Sequence, residues 1–271
     1  MYQQNFYRKK NQKFNKRGSY NKSIQNNYNN INFKREVYYY NNIYLNYYYP
    51  PKYDSKKIID INEYYIQREI LYHTEDYIIS KYPNLLYINE RNAKLNEKIN
   101  ENSKFFIIKS YTEEDIHKSI KYGIWCSSKE GNLILNDAFN EVKEKKGNIY
   151  LFFSSFGTER FVGLAEMKTL CDKNKIFDLW TQDGKWIGLF EVEWLYIKDI
   201  PFEEFREINI IMKDGEIKNI CEAKDIQEIP YEKGKSMIEI IDKYQNSNTI
   251  LEHFEFYDVR QERYELNTKK K

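Results

Sequence analysis

Tryptophan is the residue type whose placement in this sequence points most directly to binding chemistry. Trp125, Trp180 and Trp186 fall in polar stretches between predicted elements, whereas Trp194 lies in the alternating pattern of a strand. A loop tryptophan often packs as a lid on the core, but an indole face also stacks on planar ligands. Three of them in two polar loops of one domain favour a ligand-facing aromatic site.

The sequence lacks the usual motifs of catalysis. There is no G-x-G-x-x-G after a strand and no G-x-S-x-G, and the segment Gly234–Ser236 ends like a phosphate loop but has Ile229 where the first glycine is required. The cysteines and histidines are scattered without a spacing typical of zinc: Cys126, Cys171, Cys221, His73, His117 and His253. We therefore expect a protein that is not an enzyme, needs no cofactor or metal, and keeps free thiols in a reducing compartment.

The first 53 residues differ from the rest in charge and composition. They contain ten Lys and Arg against one acid, a charge of +9, and because the chain of 271 residues carries +2 the remainder carries −7. Asn, Tyr, Lys and Gln dominate, which predicts a disordered basic tail over residues 1–53. This tail is either neutral filler or a cationic segment that condenses with RNA or with its own copies.

The apolar residues are grouped in short runs. Phe105–Ile108 and Ile149–Phe153 fall far short of the ~20 apolar residues of a membrane span. The first residues, Met1–Asn5, lack the apolar region of a signal peptide. We therefore expect a soluble, unsecreted protein.

An α/β domain is predicted after a helical linker. Apolar residues over 54–102 recur at mixed helical spacing, interrupted by Pro83 and by the polar run Asn89–Ser103. From Lys104 onwards the pattern alternates between strands and helices. The predicted elements are a strand over Phe105–Ser110, a helix over Ile116–Tyr122 capped by Thr112 with Asp115, a helix over Leu133–Lys145, neighbouring antiparallel strands over Ile149–Ser155 and Phe161–Met167, a strand through Phe190–Tyr196 that ends before Pro201, a hairpin turning at Lys213–Glu216, and helices over Glu232–Tyr244 and Thr249–Tyr264.

Residues 103–264 resemble a known family. The segment 104–128 (KFFIIKSYTEEDIHKSIKYGIWCSS) is similar to the opening of the YTH domain, the reader module for N6-methyladenosine in RNA. Further segments follow in family order: 161–168 (FVGLAEMK), 180–183 (WTQD), 190–194 (FEVEW), 197–201 (IKDIP), 225–230 (DIQEIP) and 259–262 (VRQE). The cytoplasmic YTHDF and plant ECT type is the most similar. The resemblance implies an α/β fold, a curved mixed β-sheet or open barrel wrapped by helices, with the RNA-binding domain over 103–264 and a basic C-terminal tail over 265–271.

The resemblance also implies the residues of an adenine site. Trp125, Trp180 and Trp186 would form a cage around a flipped-out N6-methyladenine, and the backbone carbonyl of Cys126 would accept the remaining exocyclic N–H. Tyr111 and Asp115 match positions that read other edges of the purine. Because purine N1 and an ionised carboxylate are both acceptors, Asp115 contacts N1 only through water or when protonated. The alternative role for Asp115 is a plain helix cap.

Lysines bordering the cage are expected to contact the RNA backbone. Lys109 and Lys224 match basic positions of the family, with Lys224 standing where close relatives have arginine, and Lys185 and Lys121 are further candidates. Residues 104–271 carry 26 Lys and Arg against 31 Asp and Glu. Affinity must then rest on a local basic patch, with possible help from the +9 tail.

Three positions depart from the family pattern. Gly184 makes the loop between the second and third cage tryptophans one residue longer than the YTHDF spacing. Ile134 stands where close relatives have a phosphate-binding arginine, and Phe156 replaces a polar residue before a strand turn. The longer loop affects the position of Trp186 in the cage. Ile134 removes one phosphate contact of the family, and Phe156 removes one base contact.

The sequence thus predicts a non-catalytic reader of N6-methyladenosine in single-stranded RNA that regulates mRNA fate. The expected partners are methylated RNA and the mRNA decay or translation machinery, and the expected location is the cytoplasm, with the nucleus as the alternative. One rival function is a module of the same fold that reads RNA sequence without methylation. The other is an enzyme acting on modified nucleotides, which the missing base, nucleophile and metal set disfavour.

Overall fold

A computed structural model of the chain describes residues 74–182, 184–212, 215–245 and 249–268. The predicted tail over 1–53, the first part of the predicted linker up to residue 73 and the hairpin residues 213 and 214 lie outside the described residues. The described helices are α1 (Thr74–Lys81), α2 (Pro83–Leu86), α3 (Ile88–Arg91), α4 (Glu113–Tyr122), α5 (Lys129–Glu144), α6 (Tyr231–Lys243) and α7 (Phe254–Thr268). The described strands are β1 (Lys104–Ser110), β2 (Ile124–Trp125), β3 (Ile149–Ser155), β4 (Arg160–Met167), β5 (Phe190–Pro201), β6 (Asn209–Ile211), β7 (Ile217–Asn219) and β8 (Gln227–Ile229).

Six strands form a curled half-barrel in the order β2-β5-β4-β3-β1-β8, and β6 pairs with β7 in a separate hairpin. Strand β1 runs parallel to β3, whereas the other pairs of the sheet are antiparallel, including the predicted β3–β4 pair. The predicted α/β fold of a curved mixed sheet wrapped by helices is confirmed.

Both faces of the sheet are covered, which explains why its strands are continuous apolar runs. Along β1, Phe106 and Ile108 belong to a core shared with α4 and α5. Their neighbours Phe105 and Ile107 belong to the opposite core, shared with α6. Because side chains alternate along a strand, one buried strand supports helices on both faces.

Several boundaries differ from those predicted. Helix α5 begins at Lys129 rather than Leu133, because the Ser128 side chain accepts a hydrogen bond from the Gly131 N–H (3.0 Å) and caps the helix earlier. Strand β5 continues through Pro201. The last helix, α7, begins at Phe254 after a 3-10 turn over Ile250–His253 and runs to Thr268, so residues 265–268 of the predicted basic tail are helical and residues 269–271 lie outside the described residues. Further 3-10 turns span Leu95–Lys98, Phe202–Phe205 and Ile220–Glu222.

The polar run before β1 is packed against the domain rather than extended. Pro83 begins α2, since proline is favoured at the first position of a helix. Ile88, just before the polar run, and Leu95 and Ile99 within it are buried in the two cores. Leu95 and Ile99 are each flanked by lysine and asparagine. Such sparse apolar anchors leave no clear helical period, which is why this run reads as a loop in the sequence.

Helix α4 carries the chain from the end of β1 to β2. The Thr112 hydroxyl accepts the Asp115 N–H (3.2 Å) and begins the helix, as the sequence predicted. Gly123 ends it at φ +64°, a left-handed conformation that favours glycine. The chain then enters β2, where Trp125 pairs with Phe190 of β5.

Asp258 on α7 joins the N-terminal helices to α4. Its carboxylate accepts hydrogen bonds from Tyr77 Oη (2.5 Å), Tyr82 Oη (2.6 Å) and Lys121 Nζ (2.6 Å), and His117 Nε2 lies 3.2 Å away. Burial alone would raise the pKa of Asp258, but its contacts with His117, Lys121 and the two tyrosines hold that pKa well below its usual value.

No described helix is long and apolar enough to cross a bilayer.

Candidate functional site

A cleft opens where the end of β1, the start of α4, the end of β2 and the loop before β5 meet. Its free space, including the open mouth, measures about 320 Å³. Ten residues line it: Lys109, Ser110, Tyr111, Asp115, Trp125, Cys126, Ser127, Trp180, Trp186 and Asp225. The structure therefore brings together Trp125, Trp180 and Trp186 and most of the other residues that the resemblance implied. The sequence predicted a loop position for Trp125, but this residue ends strand β2 because it pairs with Phe190 of β5.

Trp125 and Trp180 form the buried corner of the cleft. Their ring centroids lie 5.5 Å apart with the planes at 74°, and 7% and 5% of their surfaces are exposed. Trp125 meets Phe153 edge to face at 5.1 Å, and Trp180 meets Phe177 at 4.9 Å. Because each indole is braced by another aromatic ring, both are positioned before any ligand arrives.

Trp186 stands at the more open side of the cleft, next to Tyr111. Their centroids are 5.8 Å apart, and the Lys185 Nζ lies 3.8 Å from the Tyr111 centroid and 4.6 Å from the Trp186 centroid. Gly184, the additional residue of this loop, adopts φ +67°, which an L side chain rarely takes. The longer loop thus still brings Trp186 to the cleft.

Asn132 of α5 connects the segment that follows Trp125 to the loop that carries Trp180 and Trp186. Its Oδ1 accepts the Ser127 N–H (3.0 Å), and its Nδ2 donates to the carbonyls of Ser127 (3.2 Å) and Ile187 (3.3 Å). The peptide after Cys126 is thereby held against the residue that follows Trp186. Burial raises the pKa of the Cys126 thiol to about 11, so the thiol is protonated at neutral pH.

The Asp115 carboxylate lies at the cleft and binds the residue after Trp180. Its Oδ1 accepts the Thr181 N–H (2.9 Å) and its Oδ2 accepts the Thr181 hydroxyl (2.6 Å). Burial raises the pKa of Asp115, and the two bonds from Thr181 oppose that rise. Asp115 therefore anchors the Trp180 loop to the start of α4, in addition to facing the cleft.

The four lysines expected to contact RNA occupy different places. Lys109 is in the lining of the cleft, but its Nζ donates to the carbonyl of Cys221 (3.0 Å), a residue outside that lining, and burial lowers the pKa of Lys109. Lys185 lies above the rings at the mouth. Lys224 is exposed and outside the lining, and Lys121 is bonded to Asp258 and also outside it. The structure groups Lys109 and Lys185 with the cage but not the other two.

Sequence reasoning missed Asn132, Thr181 and Asp225. Asn132 shares the buried face of α5 with Leu135 and Ala138, and a polar residue in an apolar stripe requires hydrogen-bond partners. That signal was present in the sequence, whereas its partner at Ile187 was not visible. Asp225 accepts the Lys109 N–H (2.8 Å), a contact between residues far apart in the chain.

The histidines, cysteines and carboxylates of the described segments form no group able to hold a metal ion. Two carboxylates, those of Asp115 and Asp225, lie in the lining of the cleft. Its chemistry consists of aromatic faces, backbone groups, two carboxylates and lysine ammonium groups, a combination suited to binding a planar, nitrogen-rich ligand with a nearby negative charge.

Comparisons with known proteins identify the family. The YTH family model, the YT521-B-like domain, matches residues 103–242, just over half of the chain. YTH domain-containing family protein 3 of Homo sapiens is 42% identical over 175 residues, which cover 65% of this chain and 29% of the relative. Family protein 2 of Homo sapiens is 42% identical over 175 residues, with coverages of 65% and 30%. The chain thus spans less than a third of the length of these relatives.

Two solved structures share the fold. The YTH domain of Zygosaccharomyces rouxii MRB1 protein, in complex with N6-methyladenosine RNA, superposes with a TM-score of 0.51 at 30% identity, covering 55% of this chain and 93% of that one. The Pho92 YTH domain, in complex with m6A, superposes with a TM-score of 0.53 at 32% identity, covering 56% and 94%. The matched segment, the curled sheet and the tryptophan-lined cleft lead to one conclusion: this chain belongs to the YTH domain family.

Proposed function

We propose that this protein reads N6-methyladenosine in single-stranded RNA without catalysing a reaction. The observation that carries the proposal is the convergence of Trp125, Trp180 and Trp186 on one open cleft. Two structurally similar YTH domains have N6-methyladenosine bound, which supports the same ligand here.

The affinity for the base would come mainly from the aromatic rings. Stacking a base on an aromatic side chain contributes roughly 1–3 kcal/mol. Burying the added methyl group among the indoles contributes about 0.8 kcal/mol more. The perpendicular Trp125 and Trp180 rings suit this task, because one ring can face the purine while the other closes the pocket beside it.

Selectivity against unmodified adenine would have a second source. N6-methyladenine has one exocyclic N–H, which the Cys126 carbonyl would accept, whereas adenine would direct a second N–H at indole surface. A buried donor without a partner costs about 1–3 kcal/mol. Asn132 supports this role, because it fixes the peptide that follows Cys126.

Asp115 would approach purine N1 through a water molecule or as the protonated acid. The raised pKa of Asp115 supports contact as the protonated acid. The two hydrogen bonds from Thr181 favour the ionised carboxylate and so support contact through a water molecule. In both cases the same side chain positions the Trp180 loop.

The electrostatic part of RNA binding would be local. Residues 104–271 have more acids than bases, so the phosphates must be met by Lys109 and Lys185 beside the cleft, by exposed Lys224 and by the +9 segment over 1–53. Counterion release would make the affinity fall as salt rises.

A ligand series tests the proposal through tryptophan fluorescence. Adenosine, N6-methyladenosine and N6,N6-dimethyladenosine are titrated as the central nucleotide of one short RNA. We expect the monomethylated RNA to bind best, because adenine lacks the methyl group and the dimethylated base lacks the N–H. Equal affinity for all three would refute a methyl-reading cage, and the strongest binding by the dimethylated RNA would refute the role of the Cys126 carbonyl.

The second candidate function is reading of RNA sequence without methylation. It is favoured by two exposed apolar residues, Ile134 and Phe156, at positions where relatives have polar or basic residues. A Trp125→Ala variant that keeps its affinity for the best-bound RNA would support this candidate, because a cage reader would lose that affinity.

Control of mRNA fate in the cytoplasm, through decay or translation machinery, is a further part of the proposal. It is supported by the similarity to YTH domain-containing family proteins 2 and 3 over the domain only. Crosslinking of bound cellular RNA, with and without the cage tryptophans, and half-lives of the crosslinked transcripts would test it. Unchanged half-lives after loss of the protein would contradict it.

A further inference from the structure

Two exposed aromatic rings stand side by side at the rim of the cleft. Tyr111 is 48% exposed and Phe156 is 52% exposed, and their centroids lie 5.5 Å apart. The parallel register of β1 and β3 explains their placement. It pairs Ser110 with Ser155 at the ends of the two strands, and Tyr111 and Phe156 are the residues that follow these serines. Exposed apolar residues mark binding sites when they form a contiguous patch, and these two neighbouring rings begin such a patch beside the cleft.

The backbone beneath Phe156 is fixed. The Phe156 N–H donates to the Ser110 carbonyl (3.0 Å), which ties it to the end of β1. The Ser155 carbonyl accepts both the N–H (3.3 Å) and the hydroxyl (2.9 Å) of Thr158, and Gly157 takes φ +79° in the turn. A ligand that meets this ring therefore has little backbone to order, which favours binding.

The two rings continue the aromatic wall of the cleft. The Tyr111 ring lines the cleft and neighbours both Trp186 (5.8 Å between centroids), which also lines the cleft, and Phe156 (5.5 Å), which does not. The Lys185 Nζ lies over the Tyr111 and Trp186 rings and supplies a positive charge beside them. Aromatic faces interleaved with a cation are the features by which proteins hold single-stranded nucleic acid.

We propose that Tyr111 and Phe156 form a second stacking surface, which takes the nucleobase adjacent to the methylated adenine on the same RNA strand. The proposal rests on the proposed function, since the methylated base must occupy the cleft for its neighbour to reach the rim. Every nucleobase has a π face, so this surface accepts different neighbours rather than reading one base by hydrogen bonds.

The test compares the wild type with Phe156→Ala on four probes. The probes are the N6-methyladenosine nucleoside, a pentamer with that nucleotide at its centre, and the same pentamer with an abasic site on either the 5′ or the 3′ side. We expect the substitution to lower the affinity for the intact pentamer about fivefold to tenfold. The nucleoside and one of the two abasic pentamers should bind both proteins equally. Phe156→Trp should retain the wild-type affinity.

Tyr87→Ala is the matched control, because Tyr87 is a 60% exposed aromatic residue that does not line the cleft. It should leave all four affinities unchanged. Equal binding of every probe by Phe156→Ala and wild type would overturn the stacking surface, as would an equal loss on the nucleoside. A fifth probe, the unmodified pentamer, is titrated with the wild type; equal affinity for the methylated and unmodified pentamers would overturn the proposed function, whatever Phe156→Ala does.

Discussion

At the scale of single residues, a substitution of Lys185 would distinguish general RNA affinity from methyl recognition. Its ammonium group lies over Tyr111 and Trp186 at the mouth, where a phosphate of bound RNA would meet it. A phosphate contact positions the strand but carries no base information. We therefore expect Lys185→Ala to lower the affinities for methylated and unmodified RNA by the same factor. It should also reduce the slope of log affinity against log salt by about 0.7.

Binding isotherms at several salt concentrations check this prediction. Lys145→Ala is the control, because Lys145 is an exposed lysine paired with Glu141 (3.1 Å) and lies outside the lining. An unchanged salt slope, or a change in methyl preference alone, would show that Lys185 acts on the rings rather than on the backbone.

At the scale of elements, two asparagines of α5, one turn apart, bind the segments that carry the cleft tryptophans. Asn132 bonds Ser127 and Ile187, whereas Asn136 Oδ1 accepts the Cys171 N–H (2.8 Å) ahead of the tryptophan loop. Each substitution to alanine leaves buried partners unpaired and should destabilise the fold by roughly 1–3 kcal/mol. Only Asn132→Ala should also reduce the preference for methylated over unmodified RNA, because only Asn132 fixes the peptide after Cys126.

Thermal unfolding and paired affinity measurements on both variants check this prediction. If Asn136→Ala lowered the methyl preference as much as Asn132→Ala, the loss would reflect general destabilisation. An unchanged preference in Asn132→Ala would remove the positioning role.

Elements were predicted where local sequence determines them. The runs that became β1, β3 and β4 are apolar because both sheet faces are covered, and Thr112 is visible as a cap in the sequence. The bond between Asp115 and Thr181 could not be predicted from spacing, because 66 residues separate them and only tertiary packing brings them together. The cage itself was expected from resemblance rather than from periodicity.

At the scale of the whole molecule, Asp258 connects segments that lie outside the family match over 103–242 to helix α4 inside that match. Its pKa is depressed in the folded state, so its contribution to stability is complete above its unfolded pKa of about 3.9 and is lost as the pH falls through the folded value. Asp258→Asn should lower the free energy of unfolding at pH 7 by about 3–5 kcal/mol.

Denaturant unfolding of both proteins between pH 7 and pH 3 checks the sign. The difference between wild type and Asp258→Asn should shrink as the pH falls below about 4. A difference that stays constant over this range would show that the carboxylate charge contributes nothing to the junction of α1, α4 and α7.

The central claim is that indole rings from separate segments of the chain form a pocket that binds adenine more tightly when its amino group carries one methyl group. Calorimetry with a methylated pentamer and its unmodified counterpart tests it most directly, using wild type and a Trp180→Ala variant whose folding is verified by its melting transition. We expect wild type to prefer the methylated RNA by roughly 30-fold or more. The variant should lose that preference. Equal wild-type affinities for the two RNAs would contradict the account.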